Sequence, residues 1–78
     1  TIISNARQLQ SALAAYYPRQ RAGATSEDDE AEYLSNHHQM TALLILAHQA
    51  ESGMSEEAVQ QLMAIEHEDA AALRGATL

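Results

Sequence analysis

Apolar residues recur at steps of three and four from the start of the chain. Ile2, Ala6, Leu9, Leu13, Tyr16 and Tyr17 fall on one side of a 3.6-residue helix. The pattern predicts a first helix over residues 2–17. Pro18 is the expected stop, because it lacks the amide hydrogen of the helical ladder and disfavours helical geometry in the residue before it. Residues 18–25, with Gly23 among them, then read as a loop. Ser26 followed by Glu27, Asp28, Asp29 and Glu30 supplies what a helix start needs: a hydroxyl for the orphan amides and carboxylates facing the positive end of the dipole.

The second helix is expected over 26–52, about 26 residues or roughly 39 Å, with Gly53 as its left-handed C-terminal residue. Asn36 and Gln39 form a second capping pair, so a break near 35–36 is the alternative. A third helix is expected over 55–74. Ser55 caps it, Glu56 and Glu57 fill its first turn, and Met54 is placed to staple against Val59, leaving a tight corner at 52–55. Its stripe runs through Val59, Leu62, Met63, Ala70 and Leu73 with Glu66 near the middle. A break near 66–69, with Asp69 capping a last turn, would relieve that conflict. No segment alternates with period two, so the fold class is all-α, a small single-domain bundle of three main helices.

The second helix carries the most information about function. On a wheel of 100 degrees per residue, Tyr33, Met40, Leu43, Leu44 and Ala47 share the side that faces a core. A second strip of Leu34, His38, Thr41, Ile45 and His48 lies more than a quarter turn away, with Leu46 apart again. A helix apolar almost all round wants neighbours on every side. Two short companions from the same chain can hardly supply them, so a dimer mate or another protein is expected to cover the second strip. Tyr16 and Tyr17, beside Arg19 and Arg21, make an aromatic and arginine pair of the sort that anchors interfaces. Burial of both rings against the second helix is the competing expectation.

Composition strengthens the case for a partner. Of the 46% of the 78 residues that are hydrophobic, 16 are Ala and 3 are Tyr, leaving 17 Ile, Leu, Val and Met for the core. Domains this short often recruit a metal, disulfides or a second chain. With no cysteine, disulfides and thiolate metal sites are excluded.

Charge is segregated as well as unbalanced. Eleven carboxylates oppose four arginines, for a formal net charge of −7. All eleven lie between Ala22 and Leu73, where there is no Arg or Lys. This argues against binding to a phosphate backbone or an anionic membrane. The longest aliphatic run, Leu43 to Ala47, is far below a membrane span. The opening Thr1-Ile2-Ile3 has neither the basic nor the apolar region of a secretory signal, and cytoplasm is the expected compartment.

Catalytic and metal signatures fail on spacing. A di-metal carboxylate bundle places Glu three residues before His, whereas Leu34, Ser35, Ile45 and Ala64 precede the four histidines at that distance. Ser35, Asn36 and His37 are adjacent, and adjacency on a helix points side chains apart. The three glycines are isolated and form no phosphate loop. No cofactor and no enzymatic activity are expected. The Gly53 corner resembles a helix-turn-helix only in its glycine and following apolar residues, since Glu56 and Glu57 would face the phosphates.

The expected function is therefore a non-enzymatic protein–protein interaction module, a small regulator, adaptor or inhibitor. Its contacts would be Leu34, His38, Thr41, Ile45 and His48 with Tyr16 and Tyr17. The acidic surface of Glu27, Asp28, Asp29, Glu30 and Glu32 would steer it to a basic partner. The alternative is an acidic nucleic-acid mimic occupying the cleft of a DNA- or RNA-binding protein. A subunit of a helix-turn-helix regulator comes third.

Overall fold

Thr1 begins the first helix by accepting the Ser4 amide on its hydroxyl at 3.1 Å. From there the computed structural model, which describes residues 1–49 and 53–77, runs through α1 (Ile2–Arg21), α2 (Glu27–Ala47) and α3 (Glu56–Thr77). No strand occurs among the described residues. Ser26 and Asp29 cap α2 reciprocally, the Asp29 amide donating to the Ser26 hydroxyl at 3.1 Å and the Ser26 amide to the Asp29 carboxylate at 2.9 Å. Ser55 caps α3 through the Ala58 amide at 3.1 Å.

Three expected boundaries are corrected, and one alternative boundary is not used. First, α1 passes through Pro18 to Arg21. Proline in the last turn forfeits one ladder bond, to the Ala14 carbonyl, and the turn is held from outside by an ion pair between Arg19 and Asp29 at 2.7 Å. The true stop is Gly23, at φ +70, where the Gly23 amide donates to the Gln20 carbonyl and the Ala24 amide to the Arg19 carbonyl. That is the paired closure of a Schellman motif. The connection to α2 shortens accordingly.

Second, α2 ends at Ala47, the last residue of its core stripe, with His48 as C-cap. Residues 50–52, over which it was expected to continue, lie outside the described residues. Third, the alternative break at 35–36 does not occur, and α2 is continuous there as first expected. Ser35 instead accepts from Gln39 at 3.1 Å, one turn along the continuous helix. Fourth, α3 runs unbroken past 66–69 and Gly75, because Asp69 turns inward to Tyr17 rather than capping a new turn.

The core consists of Ala6, Leu13 and Tyr17 from α1, Met40 and Ala47 from α2, and Leu62 and Ile65 from α3. α1 and α2 run antiparallel, so Tyr16 meets Tyr33 near the turn while Leu9 and Leu43 meet further along. α3 packs chiefly on α1 and touches α2 less. Its buried residues are Leu62, as expected, and Ile65, which the expected stripe omits, with Ala72 packed half-buried against the core. Val59, Met63 and Ala70 of the expected stripe are half-buried, while Leu73 is 47% exposed and Ile65 wholly buried. Asp69, which accepts from the Tyr17 hydroxyl, lies one turn after Ile65 on the side that meets α1. The radius of gyration is 13.3 Å, against about 11.5 Å for a compact chain of this length. The excess reflects an elongated bundle, with extents of 41 × 24 × 17 Å.

Candidate interaction surface

The three tyrosines of the chain gather at the α1/α2 turn. Tyr16 and Tyr33 stack at 4.2 Å between ring centroids, and Tyr17 meets both edge-on at 6.1 and 6.4 Å. Each α1 ring is fixed by a carboxylate: the Tyr16 hydroxyl donates to Glu30 at 2.5 Å, and the Tyr17 hydroxyl donates to Asp69 at 2.9 Å. The Glu30 bond, with burial and the carboxylate charge adding to it, pushes the Tyr16 phenol up to about 12. Burial foremost, then the Asp69 bond and its charge, pushes Tyr17 up as well. Both phenols are thus held neutral as donors. Tyr17 is buried and Tyr16 half-buried, so the pair expected at an interface is occupied inside the bundle.

The acidic run divides into two groups. Asp29 is held below the usual carboxylate range by the Ser26 amide first, with the Ser26 hydroxyl and Arg19 assisting. Glu30 is lowered by the Tyr16 hydroxyl and then by the Thr25 hydroxyl, which donates at 2.7 Å. These two carboxylates serve the fold. Glu27, Asp28 and Glu32 stay exposed, and they carry the negative surface that a partner would meet.

Every member of the second strip is exposed. Leu34 retains 52% and Ile45 57% of its accessible surface, with His38, Thr41 and His48 exposed between and beyond them. The His48 Nε2 lies 3.6 Å from a Glu66 carboxylate oxygen, where the end of α2 passes α3. The core side of α2, by contrast, lies as its pattern predicts. Met40 and Ala47 are buried, and Tyr33, Leu43 and Leu44 are packed against the core.

A second feature was not foreseen. On the flank of α2 away from Leu34 and Ile45, a groove of about 650 Å³ opens between α1 and α2. Leu9, Leu43 and Leu46 form its half-buried floor, and Ala12 and Ala42 are among the small residues that line it, at different levels along the helices. Small side chains along an antiparallel helix pair leave a valley that larger ones would fill. The sequence contains both alanines, but that they line one groove becomes visible only once the register of α1 against α2 is known.

Other chemistry finds no constellation. Among the described residues no three His, Asp or Glu side chains gather at metal-binding distance, and no helix is long and apolar enough to cross a membrane. Two arginines that phosphate binding would need are engaged, Arg7 with Glu68 and Arg19 with Asp29. Glu56 and Glu57 stand exposed at the start of α3. No protein-family model matches the chain, and no curated protein or solved structure is significantly similar to it, so its function has to be read from this surface geometry.

Proposed function

We propose that the protein is a non-enzymatic interaction module that binds another protein, or a second copy of itself, through the outer face of α2. The observation that carries this reading is the exposure of Leu34 and Ile45 on one strip of a helix whose opposite side is already committed to the core. Burying aliphatic surface contributes roughly 25 cal/mol per Å², and a thin bundle has little of it to leave in water. His38, Thr41 and His48 supply hydrogen-bonding groups along the strip, while Glu27 and Asp28 at the helix start favour a basic partner surface.

The reading is tested by affinity capture from the native lysate beside a sedimentation mass, for the wild type and for Ile45→Asp. A stoichiometric, nuclease-resistant partner or a dimer that disappears in Ile45→Asp, with helicity retained, is the expected result. A wild-type monomer that retains nothing would overturn it. Capture that fails at high salt but withstands Ile45→Asp would point to nucleic-acid mimicry instead.

A further inference from the structure

We infer that the groove between α1 and α2 is a docking site for a basic amphipathic helix from another protein. The inference does not depend on the Leu34 and Ile45 strip, which lies on the other flank of α2. Its first support is shape. The groove continues past Ala12, Glu32 and Asn36 into a smaller depression of about 180 Å³ that reaches Arg19, so the furrow follows α1 from Asn5 to Arg19. That is about 21 Å at 1.5 Å per residue, or four helical turns. Such a length accepts the i, i+3, i+7, i+11 stripe of one helix. The small side chains of Ala12 on one wall and Ala42 on the other keep the valley open at two levels, with Leu9, Leu43 and Leu46 below to receive large apolar residues.

Charge selects the occupant. The rim bears the Glu32 carboxylate, and Asp28 stands one turn earlier on the same flank, both exposed. Arg19 is the one cation among the residues lining the described furrow, and it is ion-paired with Asp29 at 2.7 Å. A helix with lysines or arginines along one side would therefore gain at the α2 edge, while the α1 edge offers the neutral Asn5 and Gln8. A second copy of this chain carries a net charge of −7, and its one basic helix, α1, has its apolar stripe in its own core and Arg7 and Arg19 in ion pairs, so it is disfavoured here.

The probe is a fluorescein-labelled 18-residue peptide with Leu at alternating three- and four-residue steps and Lys elsewhere. Its controls are the same peptide with Glu for Lys and a scrambled Leu/Lys peptide, all followed by anisotropy. The Leu/Lys peptide should bind saturably and the Glu peptide should not. Ala42→Arg, at an exposed position, should weaken binding about tenfold or more. Gln39→Arg on the same rim should do likewise and stands in if Ala42→Arg loses helicity. Ile45→Arg adds the same charge on the other flank and should leave the affinity within about twofold. Glu32→Gln should flatten the salt dependence. Equal binding of the scrambled peptide would reduce the effect to bulk charge and overturn the inference. So would loss in Ile45→Arg with retention in Ala42→Arg, or a dimer that excludes the peptide.

Discussion

The contact between α1 and α3 and the outer faces of α2 use side chains of the same kinds to opposite ends. Across the first, Ala6, Leu13, Leu62 and Ile65 are excluded from water almost completely, and the buried Tyr17 hydroxyl has its acceptor in Asp69. Along α2, four leucines and one isoleucine are distributed around the helix, and Leu34 and Ile45 stand more than half exposed. The difference lies in periodicity rather than in hydrophobicity. Apolar residues gathered on one stripe can be buried by one neighbour, whereas a helix apolar on several sides needs several neighbours. A chain with only two other helices leaves the surplus on its surface.

This contrast can be broken most forcefully at Ile65. Truncating it to Ala should cost about 2–5 kcal/mol, comparable with the whole stability of a domain this size at about 0.05–0.15 kcal/mol per residue. Urea titration followed by circular dichroism should find the variant largely unfolded or close to it, while Ile45→Ala shifts the midpoint little. Equal losses at the two positions would mean that α2 is as closely packed outside as in.

Removing one hydroxyl tests the polar half of the α1/α3 contact. Tyr17→Phe keeps the ring and deletes the bond to Asp69, and a hydrogen bond to a charged group is worth about 1.5–3 kcal/mol. The pH dependence carries a sign. Both Tyr16 and Tyr17 hold their protons more tightly folded than unfolded. Their contribution is therefore complete below about pH 10, the unfolded phenol value, and is lost as the pH rises beyond it. Alkaline unfolding should begin above that value and be less steep in Tyr17→Phe.

Smaller effects are expected where α2 meets solvent. Ser26→Ala removes the hydroxyl half of the capping box and should cost about 1 kcal/mol, read as a lower urea midpoint. Asp29 and Glu30 are both lowered in the folded state. Stability they contribute is present above the unfolded carboxylate values near 4 and declines as the pH falls below them. Asp29→Asn should flatten that acid limb. Smallest of all, Ile45→Asp should change folding stability by no more than about 0.5 kcal/mol, yet remove association, separating the surface from the core in one substitution.

Helix identity was legible throughout, because capping and periodicity are local. Ser26 with its acidic turn and Ser55 with Glu56 and Glu57 start helices where the sequence indicates. The ends of helices were less legible. Pro18 and Gly23 are both stop signals five residues apart, and the choice between them rests on contacts to Asp29 and Asp69 in other helices. The core side of α2 and its exposed strip were also readable, since one wheel gives both. The rotation of α3 was not, because Ile65 and Leu73 are both strongly apolar and their different burial depends on how the whole face of α3 packs on α1, including the Tyr17–Asp69 bond across 52 residues of sequence.

What the sequence determined by itself is an acidic, cysteine-free chain of three capped helices with more apolar surface on the second than its own companions can cover. These follow from spacing, charge and chain length, which act within a turn or two of helix. The tertiary structure alone decided that the tyrosines and two carboxylates pin the bundle internally, that Ile65 is core, and that Ala12 and Ala42 line one groove. Each depends on the register between helices. Register is set by the summed packing of whole faces, a quantity that no local stretch of sequence contains.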